Sequence, residues 1–194
     1  REGFDLAIRI GELEDSSLVA RRIASDTRVV CAAPEYLERH GTPTDLIDLE
    51  AHNCLAADTA EVWRLEGPDG ETQFHPHGNV RSDSGEFIRE LVMAGVGIGL
   101  LSTWDIGQAL RSGALRVILP EYRAASSAAV HAVYPSREFM PAKVNVLIEF
   151  LAELYGSEPY WDKDLDLNKV AQVRPAARQM SRRAGKAGPL AATR

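Results

Sequence analysis

No stretch of about 18 consecutive apolar residues occurs in the chain, so nothing in it reads as a membrane-spanning helix. Cysteine is scarce, with Cys31 and Cys54 the two in 194 residues. Both stand in apolar, strand-like settings and form no Cys-x-x-Cys pair, which reads as buried free thiols in a reducing compartment. No initiator Met and no secretory signal stand at the front; Arg1-Glu-Gly-Phe-Asp runs straight into a strand, as expected of a segment that begins inside a longer protein. A Gly-x-Ser-x-Gly elbow is lacking, and Cys31 has no helix start to activate it, so catalysis has no candidate residue. Acidic side chains are missing from Asn168 to Arg194, where seven basic ones stand. The other 167 residues carry 15 basic and 28 acidic side chains, a net of −13. A body that acidic is a poor nucleic-acid surface. The stretch 157–194, rich in Ala, Arg, Gly and Pro, reads as a disordered basic tail.

What is present is a globular composition, 45 % hydrophobic, enough for one domain or two small lobes. Phe4 to Ile10 alternates and stops at Gly11, a strand; Leu18 to Ala24 reads as a second strand and Val29 to Ala33 as a short, fully apolar third. Pro34 sits at a helix start with Glu35 in its first turn, and Gly41 ends that helix. Leu46 to Leu49 is a short helical turn and Asn53 to Ala56 a strand-like run. Val62 to Leu65 and Thr72 to Phe74 flank Gly67-Pro-Asp-Gly70, a hairpin with favourable turn chemistry. Thr103 to Leu110 reads as a helix, Leu115 to Leu119 and Ala129 to Tyr134 as strands, and Ala142 to Leu154 as an amphipathic helix. Strands alternating with helices mean an α/β fold, whose ligands lie at the carboxyl ends of strands.

The organising stretch is 80–101. Ser82-Asp83-Ser84-Gly85 opens a helix, Asp83 and Glu86 have capping-box spacing, and Gly95 ends it before a buried strand at Ile98 to Leu101. Free backbone N–H groups gather at a helix start, so Ser82 to Ser84 is a natural small-ligand contact; the same pattern also serves an ordinary capped core helix. Gly95-x-Gly97-x-Gly99 resembles a dinucleotide fingerprint but follows a helix and precedes a strand, the reverse of the required order. His75-x-His77 with His52 or Cys54 offers no spacing that fixes four metal ligands.

Seven stretches together resemble the effector-binding domain of the LysR-type transcriptional regulators. They are Phe4-Asp-Leu-Ala-Ile-Arg-Ile-Gly11, Val29-Val-Cys-Ala-Ala-Pro-Glu-Tyr-Leu37, Gly41-Thr-Pro with Asp45-Leu46, and His52-Asn-Cys-Leu55. Ala94-Gly-Val-Gly-Ile-Gly-Leu100, Gly113-Ala-Leu-Arg-Val-Ile-Leu-Pro120 and Val133-Tyr-Pro-Ser136 complete the set, in order, from residue 2 to about 155. The resemblance implies an α/β, two-lobed, periplasmic-binding-protein-like domain with two crossover strands, near Asn53 to Ala57 and Ala132 to Ser136. Lobe I would hold residues 1–53 and 134–156, and lobe II residues 54–133. In that family an inducer between the lobes reshapes a tetramer that grips DNA through a separate N-terminal helix-turn-helix. Those helices, the linker helix and the first strand–helix–strand of lobe I would precede Arg1, leaving lobe I incomplete. A second departure is Leu101-Ser102, where the family commonly has a proline.

The implied protein is a cytoplasmic, non-enzymatic small-molecule sensor without a cofactor. It would be a homo-oligomer, dimer or tetramer, in full-length form, meeting DNA only through the missing domain and meeting no membrane. A periplasmic solute-binding protein of similar fold is the alternative and would show a secretory signal upstream. Carried over by position, the pocket would take Arg9, Ile10 and Gly11 from the first strand and Thr27 and Arg28 ahead of the third. Ser82, Asp83 and Ser84 would face it from lobe II, with Tyr134, Pro135 and Ser136 beside the second crossover. An arginine fork suits a carboxylate, and many inducers of this family are small organic acids. Arg9 also reads as a solvated edge charge, and Asp83 as a plain cap whose charge repels an anion.

Overall fold

The computed structural model describes residues 4–11, 13, 17–57, 62–125, 129–135 and 140–167. Among them the strands form two sheets. The smaller holds β1 (Ala7–Gly11), β11 (Ala129–Tyr134) and β2 (Val19–Ser25), all antiparallel, with β11 in the middle. Alternate residues of β11, Val130, Ala132 and Tyr134, meet Ile23 and Ala24 and the buried Val144 and Ile148 of α4 (Ala142–Tyr155).

The larger sheet is centred on β3 (Arg28–Ala32), which pairs antiparallel with β8 (Ile98–Ser102). Val29, Cys31 and Ala33 enter one core with Leu55, Ile88, Val92, Leu101, Ile106 and Leu110, beneath α2 (Gly85–Met93) and α3 (Thr103–Ser112). Val30 and Ala32 enter the opposite core with Tyr36, Leu49, Trp63, Leu65 and Phe74. A strand covered on both faces has no position left for a polar side chain, which is why residues 29–33 are an unbroken apolar run. Beyond β8 lie β4 (Cys54–Ala57) and the two-residue β7 (Arg81–Ser82), both parallel to their neighbours. On the other side of β3 come β10 (Arg123–Ala124) and the hairpin of β5 (Trp63–Gly67) and β6 (Gly70–Phe74), while β9 (Arg116–Val117) also pairs with β3. The helix read after Pro34 is α1 (Pro34–His40).

This is the two-lobed α/β architecture expected from the sequence, with different boundaries. The chain crosses between sheets at Asp26–Thr27 and again between Ala124 and Ala129. The expected divisions at residues 53/54 and 133/134 do not describe it: β3 and α1 belong to the larger sheet, and β11 lies wholly in the smaller. The physical reason is that β3 finds its partner 70 residues away in β8, and an all-apolar strand carries no local mark of which sheet it joins.

The expected disordered tail also begins too early. Trp161 is 7 % exposed and sits in the smaller lobe's core with ring centroids 5.0 Å from both Tyr155 and Tyr160. Leu165 and Leu167 pack into the core beneath α2 and α3. The Arg111 guanidinium on α3 donates to the carbonyls of Trp161 (2.8 Å) and Lys163 (3.0 Å). Averaging residues 157–167 with the basic stretch after them hid three anchoring side chains. Residues 168–194, the basic end of that tail, lie outside the described residues.

Helix α4 is apolar on more than its buried side: Val146, Leu147, Phe150 and Leu154 are 45–67 % exposed. Leu147 and Leu154, expected on the buried face with Val144, point to solvent instead, while Leu151, Ala152 and Tyr155 pack inward. An exposed apolar face of this kind marks a candidate association surface. The double substitution Val146→Glu and Phe150→Lys is expected to weaken association by about 100-fold, the worth of roughly 3 kcal/mol of apolar burial, without lowering the melting temperature. Sedimentation across a concentration series measures it, and an unchanged association constant refutes it.

Candidate functional site

β3 starts where β8 ends, Arg28 opposite Ser102, and Ala57 at the end of β4 lies opposite Ser82 of β7. The carboxyl ends of three parallel strands (β4, β7, β8) and the amino ends of α2 and α3 therefore meet at the edge of the larger lobe nearest the crossings. A cavity of about 400 Å³ opens there. Leu55, Ala57, Trp63, Ile88, Leu100 and Leu101 give it apolar walls, and Trp104 adds a half-exposed ring. Its polar lining is Arg28, Ser102, Gly85, Glu86, Arg89 and Asp105.

Arg28 and Arg89 are formally balanced by Glu86 and Asp105, but their settings differ. Arg89 is bound to Asp105, to Glu90 (2.8 Å) and to Glu86 (3.4 Å). These acceptors, Glu90 first and Asp105 next, raise its pKa and keep it committed within the protein. Arg28 donates to the Leu100 carbonyl at 3.3 Å. Behind it, Asp26 is 8 % exposed and accepts from the Ser102 hydroxyl at 3.1 Å. Burial raises the Asp26 pKa, opposed by the Ser102 hydrogen bond and the Arg28 charge and reinforced by Asp162.

A raised carboxyl pKa means the folded state favours neutral Asp26, so charge on it costs stability once pH passes the ordinary value of 3.8. Asp26→Asn, whose amide oxygen still accepts from Ser102, is thus expected to raise the melting temperature at neutral pH. The gain should vanish in acid below the ordinary carboxylate value. Melts from pH 3 to 8 test this; equal gains at both ends would show that charge is not the cause.

Of the residues anticipated from the sequence, Arg28 lines this cavity. Ser82 and Ser84 do not line it; they form the turn that leads into Gly85 and Glu86, which do, and the Ser82 hydroxyl accepts from the Ser84 N–H (3.1 Å). Ser84, not Asp83, caps α2 by accepting from the Phe87 N–H (3.2 Å), and Asp83 is exposed. Thr27 lies at the first crossing, bound to Asp162 at 3.3 Å, with its carbonyl taken by the Thr103 N–H. Arg9 and Ile10 are exposed on edge strand β1; Gly11 lies opposite Ala129, at the end nearest the crossings. Tyr134 and Pro135 are at the far end of β11, Tyr134 buried in the smaller lobe's core, so they do not flank a crossing as anticipated. Ser136 lies outside the described residues.

Trp63, Arg89, Trp104 and Asp105 were not anticipated. The signal available was the strand end itself, since Ser102 closes an apolar run and opens a helix. The glycine triplet serves packing: a Cβ at Gly99 would lie 2.8 Å from Val92 of α2, and one at Gly97 would strike the Asn53 carbonyl. His77 bonds to the Glu50 carbonyl at 2.7 Å, and among the described residues no three His, Cys, Asp or Glu side chains are grouped to hold a metal. Burial pushes the Cys31 thiol up and Cys54 up to about 12, so neither is a thiolate at neutral pH. No helix among the described residues is long and apolar enough to cross a membrane.

Comparison with known proteins bears on the fold and the family. The chain is 39 % identical over 163 residues to the HTH-type transcriptional regulator DmlR of Escherichia coli K12, covering 82 % of this chain and 52 % of that protein. The HTH-type transcriptional activator TtdR of the same strain is 35 % identical over 156 residues, covering 78 % and 50 %. Among solved structures, the regulatory domain of CrgA, a LysR-type transcriptional regulator from Neisseria meningitidis, superposes with a TM-score of 0.66. It is 33 % identical, with 78 % of this chain and 76 % of that one covered. Full-length AphB of Vibrio cholerae gives 0.67 at 26 % identity, covering 77 % and 52 %. These relatives are transcriptional regulators and not enzymes, and they do not favour a periplasmic solute-binding protein. The chain spans about half the length of the curated relatives it matches. Residues 1–156 match the LysR substrate binding domain, and the chain belongs to that family as an effector-sensing regulatory domain.

Proposed function

We propose that the cavity beside Arg28 binds a small organic acid, and that the acid controls DNA binding by a longer, cytoplasmic, oligomeric regulator. The observation that carries this is the convergence of Arg28 and the amino ends of α2 and α3 on one cavity at the carboxyl ends of β4 and β8. Each helix start carries a partial positive charge, and an arginine fork adds a bidentate partner for a carboxylate. The volume falls within the range of about 300–1,000 Å³ usual for small-ligand sites. The apolar walls and Trp104 select a compact acid with a hydrocarbon or ring portion over a highly charged one. The sequence-anticipated contacts at Ser82 and Ser84 would join this site from the turn into α2; Arg9, Ile10, Gly11 and Thr27 would join it from across the crossings.

DNA binding through a helix-turn-helix and assembly as a dimer or tetramer are carried over from the LysR-type relatives, whose own chains are about twice as long. Calorimetric titration of the 194-residue chain with small mono- and dicarboxylates, each beside its neutral amide, tests the ligand class. At least one acid should bind at least tenfold more tightly than its amide, about 1.4 kcal/mol. Equal affinity for acid and amide would place the recognition outside the Arg28 cavity.

A further inference from the structure

We propose that residues 157–167, just past the matched domain, act as a clasp that sets the angle between the two lobes. The family match ends at residue 156, and the next eleven residues cross from one lobe to the other. Trp161 is seated in the core under α4 with Tyr155, whereas Leu165 and Leu167 are seated in the core under α2 and α3. Leu165 lies four Cα-to-Cα steps after Trp161, and fully extended these reach at most about 14 Å. Beyond that reach the lobes cannot part at this edge unless one anchor leaves its core.

Between the anchors the clasp is stiff and fitted. The amides of Asp162 and Lys163 both bond to the Pro159 carbonyl, and that of Leu165 bonds to Asp162. Asp164 turns the chain at φ 61°. Arg111 holds two of its carbonyls from α3, and α3 has a glycine where the clasp crosses: a Cβ at Gly107 would lie 3.2 Å from the Trp161 carbonyl. Thr27, at the first crossing, donates to Asp162 at 3.3 Å, so the clasp is tied to the hinge as well as to both lobes.

The seam also carries an opposing cost. Asp26 Oδ1, Thr103 Oγ1 and Asp162 Oδ1 are buried with no hydrogen-bond partner among the described residues. Buried unpaired oxygens regain water when a seam opens, which makes the clasped state releasable and not a permanent part of either core. Because the constraint acts on the lobe angle, it stands whether or not the cavity takes an acid.

The test lengthens the clasp without emptying either core. Gly-Ser-Gly-Ser is inserted between Asp164 and Leu165 in the 194-residue chain. Spin labels are placed at Gln73→Cys and Glu153→Cys, exposed positions on opposite lobes. Double electron–electron resonance should show a wider distribution reaching up to about 14 Å further than in the labelled parent. Hydrogen exchange at Trp161 and Leu167 reports whether both anchors stay seated. An unchanged distribution overturns the proposal in either case, since an unseated anchor is a fuller release than a lengthened one. A second variant, Arg111→Gln, removes the two carbonyl contacts alone and should widen the distribution less.

Discussion

Trp161→Ala should lower the melting temperature by roughly 6–20 °C. Emptying a buried Trp site costs about 3–5 kcal/mol, and each kcal/mol moves the midpoint by about 2–4 °C in a domain of this size. The side chain is 7 % exposed, touches two tyrosine rings and completes a core built by β11, β2 and α4. Trp161→Phe should cost much less, because it keeps a ring in the site and the indole Nε1 has no hydrogen-bond partner among the described residues to lose. A disordered segment predicts something else: substitutions in it stay within about 0.5 kcal/mol, so both variants would melt with the parent. Differential scanning calorimetry separates the two, and coincident melts would return residues 157–167 to a loose tail.

The largest effect on binding is expected at Arg28. Arg28→Ala should weaken a carboxylate ligand by about 1.5–3 kcal/mol, or about 10- to 150-fold, the usual worth of a hydrogen bond to a charged group. Arg28→Lys should fall between, since an ammonium keeps the charge without the planar fork. The loss has a second route, because the Arg28 charge also opposes the rise of the Asp26 pKa. Removing that charge raises the Asp26 pKa further, so a ratio of affinities between parent and variant that does not change with pH would show that direct contact dominates. An acid that binds Arg28→Ala as tightly as the parent sits elsewhere.

The sequence by itself determined those elements whose pattern is local. The turn chemistry of residues 67–70 placed the β5–β6 hairpin, Pro34 and Gly41 bracketed α1, and the apolar run into Ser102 marked β8 and the start of α3. Its order of motifs also carried the family. Each of these signals is written within a dozen residues, where helical and strand periods and turn preferences operate.

Tertiary structure alone decided which sheet β3 joins, where the chain crosses, and what walls the cavity. β3 pairs with β8 across 70 residues, β7, β9 and β10 are two residues each and exist only as partners, and Trp63 reaches the cavity from a hairpin remote from Arg28. The same holds for residues 157–167, a short polar and acidic stretch with no helical or strand period, whose order comes from Trp161 and Leu167 finding cores built by earlier parts of the chain. Burial is a property of the assembled surfaces, and a short segment acquires it only when distant segments have already enclosed the space.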